Sequence, residues 1–96
     1  METTLVIFRQ WRANNGGGII ALFPEIPSDN QGRFCESFEH VGQHGGADYY
    51  GVMAATKPVK PADYKDLARE LKGRGYNLKV IVRASRRMHD LRRASV

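Results

Sequence analysis

The sequence predicts an α+β domain, a small and mainly antiparallel sheet packed on one helix, with elements in the order β-β-β-β-α-β. Three observations carry that reading. Two runs rich in β-branched and aromatic residues flank a glycine-rich turn within residues 4–26. One stretch, 61–73, has the periodicity of an amphipathic helix. A last alternating run, 76–84, reads as a closing strand. At 96 residues, the chain is one domain by size. We place that domain at 1–85 and a basic C-terminal tail at 86–96.

Taken in order, "TLVIFRQW" (4–11) has strand composition, with Leu5, Ile7 and Trp11 on one face and Val6, Phe8 and Gln10 on the other. "RANNGGG" is a turn, and "GIIALFPEI" (18–26) is the second strand of an antiparallel hairpin. Pro24 and Pro27 should end that strand or hold it at a sheet edge. After the loop "PSDNQGR", "FCESFEHV" (34–41) alternates partly and reads as a third strand. The glycines of "GQHGGAD" argue for irregular backbone, and "YYGVMAAT" (49–56) reads as a short strand. Pro61 suits the first turn of a helix. Tyr64, Leu67, Ala68 and Leu71 form its apolar stripe, and Gly73 or Gly75 can end it. In "YNLKVIVRA" (76–84), Tyr76, Leu78, Val80 and Val82 share a face, so Val80 and Leu67 are expected in the core. "SRRMHDLRR" is a short helix or a frayed tail.

Composition is that of an ordinary globular chain, 42% hydrophobic and 26% charged. No apolar run approaches the roughly eighteen residues of a membrane span, so no membrane partner is expected. The start lacks the pattern of a secretory signal. Cys35 is the only cysteine, which excludes an internal disulfide and suggests a reducing cytoplasm.

Charge is unevenly placed. Residues 1–56 hold three Lys/Arg against six Asp/Glu, and residues 57–96 hold twelve against four, a net of +8. Arg83, Arg86, Arg87, Arg92 and Arg93 crowd the last fourteen residues. This half should attract a polyanion, either an acidic protein surface or nucleic acid, although a solvated tail would look the same. The ending "LRRASV" resembles a substrate site of cyclic-AMP-dependent protein kinase, and also a short phosphorylation tag; its composition continues that of the preceding residues, which favours a native tail.

"FEHVGQHGGADYYGV" (38–52) concentrates the remaining chemistry. His40 and His44 are four apart, but the glycines among them argue against a shared helix face. Cys35, His40, His44 and Asp48 match no usual metal-ligand spacing, so no metal is expected. Either histidine could move a proton, but no nucleophile is singled out. The reading preferred is a recognition loop. Its glycines permit close approach of backbone to a ligand, His40, Gln43, His44 and Asp48 offer hydrogen bonds, and Tyr49 and Tyr50 offer aromatic contact. The bland alternative packs Val41, Tyr49 and Val52 inward around a tight reversal.

The segments "TTLVIFRQW", "IIALFPEIP", "HVGQHGGADYYGV" and "GYNLKVIVRASRR" together resemble a family of short bacterial proteins carried on phages, plasmids and other mobile elements. The resemblance spans nearly the whole chain and brings no activity that transfers residue by residue. It implies a small accessory protein acting in bacterial cytoplasm. The leading expectation is therefore a binding protein without catalytic activity or cofactor, an anti-CRISPR-like inhibitor of a nucleoprotein defence complex. The alternatives are a small nucleic-acid-binding regulator, or a nucleotide-sequestering protein or small hydrolase built on His40 and His44.

Overall fold

The computed structural model describes residues 2–39 and 43–96. The elements run β1 (Thr4–Trp11), a 3-10 turn (Ala13–Asn15), β2 (Ile19–Pro27), β3 (Cys35–Glu39), β4 (Gln43–Ala47), α1 (Tyr49–Ala55), β5 (Thr56–Pro58), α2 (Pro61–Gly73), β6 (Leu78–Val80) and α3 (Arg86–Ala94). The expected α+β class is what forms. The sheet has order β4-β3-β2-β1-β5, antiparallel throughout, with β6 running parallel to β1 across Thr4–Val6.

Alternation along β1 and β2 builds two cores. Val6, Phe8, Ala21, Phe23 and Phe38 face α2, which seals them with Leu67, Ala68 and Leu71. Phe8 stacks on Tyr64 and Phe23 on Tyr76 at this layer's margins. The opposite side gathers Ile7, Ile20, Leu22, Cys35 and Ala47 with Tyr49 and Val52 of α1. The sheet is thus covered on both faces, and not by one helix alone. That explains why β1 and β2 are apolar at successive positions and not only at alternate ones.

Helix α2 begins as its sequence predicts. Pro61 opens it, and the Asp63 carboxylate accepts the Lys60 N–H at 3.0 Å. The chain then turns at Gly75, whose φ of +103° favours glycine.

Several expectations are corrected. Residues 49–56 are not a strand: 49–55 form α1, because Tyr49 and Val52, three apart, share the face that meets the sheet. Residues 43–47 are a strand despite two glycines, because β3 supplies a pairing edge. Gly46 also lets the Ser28 hydroxyl approach closely, since a Cβ would stand 2.5 Å from it and make it turn away. Pro27 ends β2 as expected, but Pro24 does not, and the two prolines do not confine the strand to an edge. It lies between β1 and β3, and its register with β3 breaks between Phe23 and Pro27 to pass the prolines. The last strand is only three residues, and Val80 is 44% exposed, so it is not core. His40 and Val41, expected in the third strand and the loop, lie outside the described residues.

Candidate functional site

The basic C-terminal segment, read as a short helix or a frayed tail, is a helix: it forms α3, docked beside α1 against β2 and the β2–β3 turn. Ser85 caps it, accepting the Met88 N–H on its hydroxyl. The anchor is Arg92, only 2% exposed. Its Nε donates to the Gly32 carbonyl at 2.8 Å, and one terminal nitrogen serves the Pro24 carbonyl and His89 Nδ1, each at 2.8 Å. The guanidinium is therefore held by neutral acceptors. Gly32, with φ +70°, lets the turn come this close: a Cβ there would lie 2.7 Å from Arg93 Cα.

His89 completes the hub. Arginine only donates, so Nδ1 must be the acceptor and the ring is neutral with its proton on Nε2. Burial, reinforced by the charges of Arg92 and Arg93, pushes its pKa down. Nε2 is buried and has no hydrogen-bond partner among the described residues. The ring meets Tyr49 edge-on at 4.7 Å and stacks on Tyr50 at 5.4 Å. Tyr49 in turn accepts the Ala84 N–H on its hydroxyl at 2.9 Å, tying α1 to the chain entering α3.

This hub floors a cleft of about 370 Å³ lined by Arg33, Phe34, Asp48, Tyr50 and Arg93 beside Tyr49 and Arg92. Tyr50 is 69% exposed and Phe34 43%. Phe34 is nonetheless fixed: its N–H donates to Asp29 Oδ1 at 3.1 Å, and its carbonyl accepts the Ser28 N–H at 3.0 Å. Asp48 precedes α1 without its side chain capping the helix.

The expected site residues therefore separate. Asp48, Tyr50 and Arg93 converge on the cleft, with Tyr49 buried at its base. Arg83, Arg86 and Arg87 are exposed. Arg92 cannot serve as an exposed partner contact, because the protein's own carbonyls hold it. His44 is on the other side of the sheet, edge-on to Phe38 at 4.8 Å and 3.8 Å from the Glu36 carboxylate. Gln43 pairs its backbone with Glu39 in β4; His40 lies outside the described residues.

Sequence reasoning missed Arg33, Phe34 and His89. His89 and Arg92 are three apart, a helical spacing that was legible once α3 is taken as helix. Nothing in "NQGRF" marks Phe34 as solvent-facing. Cys35 is buried, and burial pushes its thiol up to about 11, which makes it a poor nucleophile at neutral pH. Among the described residues, no three His, Cys, Asp or Glu side chains gather as metal ligands, and no helix is long and apolar enough to cross a membrane.

No protein-family model, curated protein or solved structure matches this chain.

Proposed function

We propose that this chain is a binding protein that docks on a polyanionic partner through the arginine face carried by α3 and the segment before it. One observation carries the reading. Arg83, Arg86, Arg87 and Arg93 stay exposed on a segment that Ser85, Tyr49 and buried Arg92 hold in place. Fixed cations orient an encounter, whereas cations on a loose tail would only attract.

The finer form of the proposal is an inhibitor of a bacterial defence complex, encoded on a mobile element and bound to an acidic protein surface of that complex. The sequence resemblance supports the setting, and the charge asymmetry supports the partner's sign. A second reading, direct binding of nucleic acid, is favoured by Tyr50 and Phe34 standing beside Arg33 and Arg93. A hydrolase or nucleotide-sequestering role on His40 and His44 has less support: beside Glu36 and the Phe38 ring, His44 lines a separate cleft with Glu2, Thr4, Arg74 and Tyr76, whose one arginine is already paired with Glu70.

The test is capture of partners from bacterial lysate on the full chain, with and without nuclease, followed by a salt series. A protein partner survives nuclease treatment, and Arg86→Ser with Arg87→Ser slows its association most at low salt. Association rates unchanged by that pair of substitutions at every salt concentration would refute arginine-face docking.

A further inference from the structure

The arginine face explains attraction but assigns no task to the two exposed rings beside it. We propose that the Phe34–Tyr50 cleft receives a nucleoside phosphate, with its base on the open face of Tyr50 and its phosphate between Arg33 and Arg93. This deepens the polyanion reading and rests on it.

The tyrosine is prepared for stacking. One of its faces already lies on His89, and its ring meets Tyr49 at 5.0 Å and 87°. His89 is in turn fixed through Nδ1 by Arg92. A base added to the outer face would extend an existing stack against a ring that cannot swing inward. Phe34, pinned through both backbone groups, supplies an apolar wall. Stacking of this kind tolerates any base.

The charges suit the same ligand. The Arg93 side chain makes no hydrogen bond or ion pair among the described residues, and exposed Arg33 has only a 4.0 Å approach to Asp29. Both guanidiniums are thus available for phosphate oxygens. Asp48 adds one carboxylate to the lining. It would repel any anionic group set beside it, phosphate included, and so favours the sugar or base on its side of the cleft, where it accepts hydrogen bonds from a ribose hydroxyl or a base N–H. The cleft's volume of about 370 Å³ lies at the small end of small-molecule sites. A free nucleotide and one residue of a single strand present the same chemistry, so the test must separate them.

The probes are uridine monophosphate, followed by amide chemical shifts, and a labelled uridine oligomer of about ten nucleotides, followed by anisotropy. Shifts centred on Phe34 and Tyr50 with the monophosphate identify a free-nucleotide site; binding of the oligomer alone identifies a strand site. Tyr50→Ala should weaken oligomer binding roughly five- to a hundred-fold, and Tyr50→Phe should restore it. Arg93→Ser should lower the salt slope by about one. A melting curve checks each variant, and exposed Tyr50 is not needed for the fold. The cleft is excluded if neither probe binds, or if Tyr50→Ala binds the oligomer as well as the parent. If Tyr50→Ala has no effect while Arg86→Ser with Arg87→Ser weakens binding, the cleft falls and arginine-face docking stands. The reverse pattern removes the arginine face and keeps the cleft.

Discussion

Helices α2 and α3 are attached to the sheet by different physics. Helix α2 closes its face with Leu67, Ala68 and Leu71 against a continuous apolar surface. Such burial is non-directional, and many small contacts share the load. Helix α3 buries only His89 and Arg92, and docks through two hydrogen bonds from one guanidinium, to the Gly32 and Pro24 carbonyls, while a third ties that guanidinium to His89 within the helix. An attachment of that kind fixes orientation sharply and fails when one group is lost. It also leaves Arg86, Arg87 and Arg93 exposed. The α2 side rests on apolar burial; the α3 side holds exposed charge at a set angle.

The largest effect should come from removing the anchor. Arg92→Ala leaves the Gly32 and Pro24 carbonyls without their buried donor and opens a void, a loss of about 3–5 kcal/mol. Arg92→Lys should recover little of it, since an ammonium cannot reproduce the forked geometry. The comparison predicts where the loss appears. Amide hydrogens of α3 should exchange quickly while those of α2 keep their protection. Equal acceleration in both helices would mean that α3 is as deeply integrated as α2.

On the apolar side, Leu71→Ala removes a fully buried side chain at about 2–4 kcal/mol, through lost transfer energy and a residual cavity. Here protection should fall throughout the domain, because that core is shared by β1, β2, β3 and α2. Val80→Ala, at a half-exposed position, should change the denaturation midpoint far less; an equal drop would restore Val80 to the core.

Gly32→Ala tests the hinge of the contrast. The residue has φ +70°, and its new methyl would press on the Arg93 backbone. Both effects act together, at about 1–3 kcal/mol. Gly16, in a similar backbone region with open space around it, is the control: Gly16→Ala should show only the conformational part. If the two substitutions cost the same by denaturant titration, close packing of the turn on α3 contributes nothing.

This division also explains what could be read beforehand. The β1–β2 hairpin and α2 announce themselves because local pattern and tertiary burial agree along 4–26 and 61–73. Residues 49–55 carry Tyr49, Tyr50 and Val52, which favour strands, next to Met53, Ala54 and Ala55, which favour helix. Packing of Tyr49 and Val52 decides between them, and that is not a local property. The glycines of β4 are tolerated because β3 and Ser28 lie where they do. The candidate site was legible only as a list of residue types. His44 and Tyr50 are six apart in sequence, yet the step from strand to helix puts them on opposite sides of the sheet. Arg33 and Phe34 enter only because the β2–β3 turn folds under α3.

The smallest effect concerns protonation of the hub. In the folded chain His89 is neutral, because burial and the charges of Arg92 and Arg93 disfavour a second proton, with Asp90 opposing them weakly. Unfolding restores a pKa near the usual 6.5, so the unfolded chain binds more protons as pH falls through that value. Stability linked to His89 is therefore fully present above about pH 6.5 and declines as acid is added below it. The geometry gives the same sign: a protonated Nδ1 would oppose the Arg92 N–H that it now accepts. The melting temperature should thus fall between pH 7 and pH 5, with α3 losing exchange protection first. His89→Gln keeps an acceptor for Arg92 but does not titrate, and should flatten that part of the profile. If the variant and the parent decline in parallel, the acid sensitivity lies in other groups, and the neutral ring assigned to the hub is wrong.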